Sequence, residues 1–141
     1  MPEIIAIDFG TKRTGIAATD PLQIVASGLT TIPTQEVIPF LLDYLKTHDV
    51  STCVLGQPKR HDGSFSEVEE EIKKFISALK KKIPSLKVER HDERFTSKMA
   101  FQTLLDSGIG KKKRQDKGLI DKISATLILQ SYLESNNNTS L

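Results

Sequence analysis

Two rhythms of apolar and polar positions alternate along this chain. Ile4, Ile5, Ala6 and Ile7 form a continuous apolar run that ends on Asp8, the pattern of a strand covered on both faces. A glycine-punctuated basic turn follows, Phe9-Gly10-Thr11-Lys12-Arg13, and Thr14 to Asp20 then reads as a second strand. Pro21 breaks the chain before a third strand, near Ile24 to Ile32. The short connections favour an antiparallel meander. Thr34 is read as an N-cap, and beyond it Val37, Ile38, Leu41, Leu42 and Leu45 recur at helical spacing.

The second half repeats the change of rhythm. Thr52 to Leu55 is a short buried strand closing on Gly56, with a turn-rich loop through Gln57, Pro58, Lys59, Arg60, His61, Asp62 and Gly63. Ser66 and Glu69 have capping-box spacing, and Val68, Ile72, Phe75, Ile76 and Leu79 form one apolar stripe. Glu67, Glu69, Glu70 and Glu71 near its start and Lys80, Lys81 and Lys82 near its end complement the helix dipole, and the charges are assigned to helix stability. Leu86 to His91 alternates as a strand and delivers Asp92, Glu93 and Arg94. Thr96 or Ser97 caps a helix that ends near Gly108, and a last helix spans about Leu119 to Leu133. These elements predict an α/β fold: a mixed five-stranded sheet, part antiparallel meander and part parallel, flanked by helices. One domain is expected over 1–135, with a flexible polar tail over 136–141.

Composition narrows the class. The 141 residues suit one core, and 38% apolar with 27% charged residues is a globular composition. No apolar run approaches the roughly 18 residues of a membrane span, and the opening residues lack a signal-peptide pattern, so a cytoplasmic location without membrane contact is expected. Cys53, the one cysteine, lies in an apolar stretch and reads as a core residue. The three histidines lack zinc-ligand spacing. Net charge is only +2, but cations cluster: Lys12 with Arg13, Lys59 with Arg60, and Lys111, Lys112, Lys113, Arg114 and Lys117 against Asp116 alone. Solvated surface is the plain reading of such runs; near candidate acids they also suit a phosphate backbone.

Three acids stand in odd places. Asp8 ends a buried strand, where an unpaired carboxylate costs several kcal/mol; turn formation is the alternative. Glu93 follows a strand, and its alternative is a surface ion pair or a helix-start acid. Asp92 competes with it, because alternate strand residues face opposite sides and only one of the two can face the other acids. Asp121 shares a helical face with Ala125, Ile128 and Tyr132, and its alternative is service to the helix dipole. Carboxylates gathered together repel unless a cation neutralises them, and oxygen-only ligands suit Mg2+ or Mn2+. Such ions activate water and stabilise the leaving oxygen in phosphodiester cleavage.

The runs Asp8-Phe-Gly-Thr-Lys-Arg-Thr-Gly-Ile-Ala, Gly56-Gln-Pro with Asp62-Gly63, Asp92-Glu-Arg-Phe-Thr-Ser and Asp121-Lys-Ile-Ser-Ala together resemble the YqgF/RuvX family, over about Ile4 to Leu133. The resemblance implies a ribonuclease H-like fold related to Holliday-junction resolvases. It also implies a nuclease that matures the 5′ end of pre-16S ribosomal RNA and acts on nucleic acid, with branched or single-stranded DNA as a further substrate. Carried over by position, the catalytic and metal-binding residues are Asp8, Glu93 and Asp121. Lys12, Arg13 and Arg94 fall near substrate, and Arg60, Lys111, Lys112, Lys113 and Arg114 are the further phosphate-binding candidates. Departures from the family pattern are Thr14 for an aliphatic residue, Phe95 for leucine and Ser124 for a second alanine.

Other functions stay open at this level. A DNA or Holliday-junction nuclease would use the same acids. A non-catalytic RNA-binding assembly module would bind through Lys111 to Arg114 without divalent metal. An actin-like ATPase is suggested by Asp8-Phe-Gly-Thr, although one short domain cannot close over ATP. Oligomeric state is not legible.

Overall fold

The computed structural model describes residues 2–57, 68–92 and 117–139, with side chains in the last segment described for 122–134. The opening apolar run is β1 (Glu3–Asp8), followed by β2 (Arg13–Thr19), β3 (Ala26–Pro33), β4 (Val50–Gln57) and β5 (Lys87–Asp92). They form one sheet in the order β3-β2-β1-β4-β5, so β1 is central. β2 pairs antiparallel with both β1 and β3, whereas β4 runs parallel to β1 and to β5. The carboxyl ends of β1, β4 and β5 therefore meet at one rim. The expected mixed sheet is the observed one.

Why β1 has no polar alternation is now plain: helices cover both its faces. On one face Ile5 and Ile7 pack with Ile16, Cys53 and Leu55 under α1 (Val37–Tyr44) and α2 (Glu69–Lys82), which contribute Val37, Leu41, Ile72 and Leu79. On the other, Ile4 and Ala6 pack with Ala17 and Val54 under Ala125, Ile128 and Leu129 of α3 (Lys117–Thr139). Each fully buried isoleucine or leucine contributes about 1.5–3 kcal/mol. The small residues on this second face let α3 lie close. A Cβ added to Gly28 would stand 2.7 Å from the Lys122 side chain. Farther along, Tyr132 reaches Glu89 on β5, so α3 crosses the sheet from β3 to β5.

Several local expectations are corrected. β3 starts at Ala26, not near Ile24, because the Asp20 carboxylate accepts from the backbone N–H groups of Ile24 and Val25 at 2.8 and 2.9 Å. That turn also places Gln23 at φ 59°. Thr34 is not a side-chain helix cap: it begins a short 3-10 turn (Thr34–Glu36), and its hydroxyl donates to the Gly10 carbonyl oxygen. Leu42 falls outside the buried stripe of α1 and is 41% exposed. Ser66, the serine of the expected capping box, lies outside the described residues. Val68 is the N-cap of α2, with no side-chain cap bond, and Glu69 turns to Arg90. The last helix runs from Lys117 to Thr139, longer at both ends than 119–133. Cys53 is buried as expected, and burial pushes its thiol pKa up to about 12. The helix expected after Thr96 and most of the loop after Gln57 lie outside the described residues.

Candidate active site at the carboxyl end of the sheet

Side-chain alternation along β1 places Asp8 on the α3 face, in register with Ile4 and Ala6. It is partly buried, at the point where the apolar strand reaches the rim. Gly15 of β2 pairs directly with it. On the other side, β4 continues from the Ile7–Leu55 pair to Gly56, which pairs with His91 of β5. The Asp8 carboxylate thus stands between two buried positions that carry no side chain, Gly15 and Gly56. The end of β5 lies two strands away, about 10 Å at ordinary strand spacing.

On β5, Val88 joins the α1–α2 side, so alternation assigns Arg90 and Asp92 to that side and Glu89 and His91 to the α3 side. The side-chain contacts agree. Arg90 meets Glu69 of α2, whereas His91 Nε2 lies 2.8 Å from Ser131 Oγ of α3 and the Tyr132 hydroxyl donates to Glu89. Asp92, the competitor of Glu93, is exposed, pairs in register with Gln57 and lies on the face away from Asp8. Burial pulls the His91 pKa down, with Asp92 pulling the other way. Hydrogen bonds from Lys87 and Tyr132 hold the Glu89 carboxyl below its ordinary range.

The turn above Asp8 is built by hydroxyls. Thr14 is fully buried, and its Oγ1 lies 2.9 Å from Thr34 Oγ1. A Cβ on Gly10 would collide with the Arg13 carbonyl oxygen, so this tight turn requires glycine. The Thr34 N–H donates to the Lys12 carbonyl at 3.1 Å. Lys12 and Arg13 leave the turn at the Asp8 rim, with Lys12 exposed and Arg13 opening β2. Thr14, a departure from the family pattern, therefore ties this turn to the chain entering α1. Ser124, another departure, is buried beside Ala125.

Of the residues predicted to form the site, Asp8, Lys12 and Arg13 stand together at this rim. Glu93, Arg94, Arg60, Lys111, Lys112, Lys113, Arg114 and the side chain of Asp121 lie outside the described residues. Among the described residues no three histidine, cysteine or acidic side chains group as metal ligands. The donor chemistry of Asp8, an oxygen ligand on a glycine-floored rim, suits a hard divalent cation. Sequence reasoning missed Arg90, Glu69 and His91. Period-two alternation from Val88 carried the signal for the first two, since it puts an arginine on a core-facing position that demands a buried acid.

Comparison with known proteins agrees with this architecture. Residues 2–135 match the family model described as "RuvX: Holliday junction resolvase". A relative from Flavobacterium johnsoniae carries the name "Putative pre-16S rRNA nuclease"; it is 57% identical over 135 residues, covering 96% of this chain and 98% of its own. A relative of the same name from Bacteroides fragilis is 50% identical over 135 residues, with 96% and 98% covered. Among solved structures, "T. thermophilus RuvC in complex with Holliday junction substrate" superimposes with a TM-score of 0.60 at 14% identity, covering 99% of this chain and 98% of that one. That likeness gives the fold, which is ribonuclease H-like. With the sheet order, the acid at the central strand end and the family match in hand, the chain belongs to the RuvX family of resolvase-like nucleases.

Proposed function

We propose that this chain is a divalent-metal-dependent endonuclease that trims the 5′ end of pre-16S ribosomal RNA during ribosome assembly in the cytoplasm. The observation that carries the reading is the placement of Asp8. A carboxylate at the end of the central strand stands between Gly15 and Gly56, below a turn that presents Lys12 and Arg13. The names of the Flavobacterium and Bacteroides relatives support the RNA substrate. No helix among the described residues is long and apolar enough to cross a membrane.

Asp8, Glu93 and Asp121 would hold Mg2+ or Mn2+. When bound, the ions supply water activation and stabilise charge on the leaving oxygen. The chain's own residues do the rest. Lys12 and Arg13, with Arg94, Arg60 and the stretch from Lys111 to Arg114, hold the phosphate backbone by charge and by guanidinium forks. Gly15 and Gly56 put no side chain beside Asp8, and Glu93, the residue that follows β5 in sequence, would join Asp8 while Asp92 faces the other way. Hydrolysis forms a bond from water oxygen to phosphorus and breaks the bond to the 3′ oxygen, which takes a proton. The products carry a 5′-phosphate and a 3′-hydroxyl.

The test presents purified protein with a 5′-extended 16S precursor RNA and, in parallel, a four-way DNA junction, in Mg2+, Mn2+ or chelator. Metal-dependent cleavage of the RNA, lost in Asp8→Asn, is the expected result. Preference for the junction would overturn the substrate. Metal-independent binding with no cleavage of either substrate would overturn the enzyme.

A further inference from the structure

A buried ion pair beneath the rim has no place in the reading above. Arg90 and Glu69 have side chains 22% and 5% exposed, with Nη1 to Oε1 at 2.5 Å. Nη2 donates to Glu69 Oε2 at 3.1 Å, so the contact is a two-bonded fork. The same guanidinium donates to two backbone carbonyls of β4, Gly56 at 3.1 Å and Leu55 at 3.4 Å. One side chain therefore joins the end of β4, the end of β5 and the first residue of α2.

Its height in the sheet is what matters. Gly56 is the residue beside Asp8 on the rim, and Arg90 lies two residues before the end of β5, whose next residue is Glu93. Replacing a buried ion pair with apolar residues of similar volume is often neutral for stability, so stability alone is a poor reason for this pair. A guanidinium fork fixes direction as well as distance, which an apolar contact does not.

We propose that Arg90 and Glu69 are positioning residues for the nuclease site: their clamp sets the separation and orientation of the β4 and β5 ends relative to Asp8. The proposal rests on the metal-dependent reading of that rim. Neither residue touches substrate. Both act through the strand ends that carry Gly56 and lead to Glu93.

The experiment compares wild-type protein, the apolar pair Glu69→Leu with Arg90→Met, and the conservative Arg90→Lys. For each, thermal melting, kcat and KM on the precursor RNA and half-activating Mn2+ are measured. A misplacement of about 1 Å costs on the order of 100-fold in rate. The expected result for the apolar pair is a kcat loss of that order, a raised Mn2+ requirement, little change in KM and near-native melting. Arg90→Lys keeps the charge without the fork, and an intermediate kcat at native melting is expected; this arm decides the matter even where the apolar pair folds poorly. Wild-type kcat and Mn2+ requirement in Arg90→Lys and in a folded apolar pair would overturn the clamp while leaving the site intact. A wild-type protein that neither binds Mn2+ nor cleaves would overturn the site reading and the clamp with it.

Discussion

Removing the Arg90 side chain alone should do far more damage than removing it together with its partner. Arg90→Met leaves the Glu69 carboxylate 5% exposed with its arginine gone, and strips a donor from the carbonyls of Leu55 and Gly56. Breaking a buried pair in this way costs about 3–5 kcal/mol. For a domain of this size that lowers the melting temperature by about 10–15 °C. Adding Glu69→Leu removes the stranded charge and fills its volume, and the pair variant should recover to within about 1 kcal/mol of the native protein. Urea unfolding of the two single variants and the pair closes a double-mutant cycle, whose coupling energy should be at least about 2 kcal/mol. A cost below about 1 kcal/mol for Arg90→Met, or a pair variant as unstable as the single, would show that the ion pair is not the buried contact described.

Four further outcomes follow from the same geometry. Asp8→Asn should abolish metal-dependent cleavage with an unchanged circular-dichroism spectrum and melting within a few degrees of native, roughly the scatter of a surface substitution; full activity in a folded, pure variant would remove Asp8 from the mechanism. Thr14→Val deletes the hydroxyl that meets Thr34 and should cost about 1 kcal/mol in urea unfolding, with weaker RNA binding from a looser Lys12–Arg13 turn. Gly28→Val drives branched carbons into the Lys122 side chain and Thr126, and should cost about 1–3 kcal/mol by the same assay. The Cys53 thiol, raised from 9.0 to about 12 by burial, is held neutral in the folded state. Its contribution is complete below pH 9 and is lost as pH rises from there toward 12, so alkaline titration should lower the melting temperature less in Cys53→Ala than in the native protein.

Period and turn chemistry made most of the sheet legible. The unbroken run from Ile4 to Ile7 announced a strand covered twice, and the buried clusters on its two faces show why no polar residue interrupts it. The stripe of α2 held because Ile72 and Leu79 face the core at helical spacing. Boundaries failed where a side chain took backbone partners out of a ladder or a cap, as Asp20 does at Ile24 and Val25. Glu69 was misread for a related reason. Three residues after a serine it looks like part of a cap, but its partner lies 21 residues along the chain, on β5, and such a long-range pairing leaves no local trace. Asp8 stood out because a carboxylate after four apolar residues conflicts with burial, and it lies partly buried at the end of β1. Arg90 was legible in principle from alternation, whereas the Thr14–Thr34 hydroxyl pair depends on a turn geometry that sequence does not encode locally.

The most direct measurement is the position of Mn2+ in crystals of the protein grown or soaked with the ion, located by its anomalous scattering. The account predicts density at the carboxyl end of β1, against the Asp8 carboxylate, with Glu93 and Asp121 completing the ligands and Asp92 turned to the opposite face. Manganese bound elsewhere, or Glu93 and Asp121 directed away from Asp8, would contradict it.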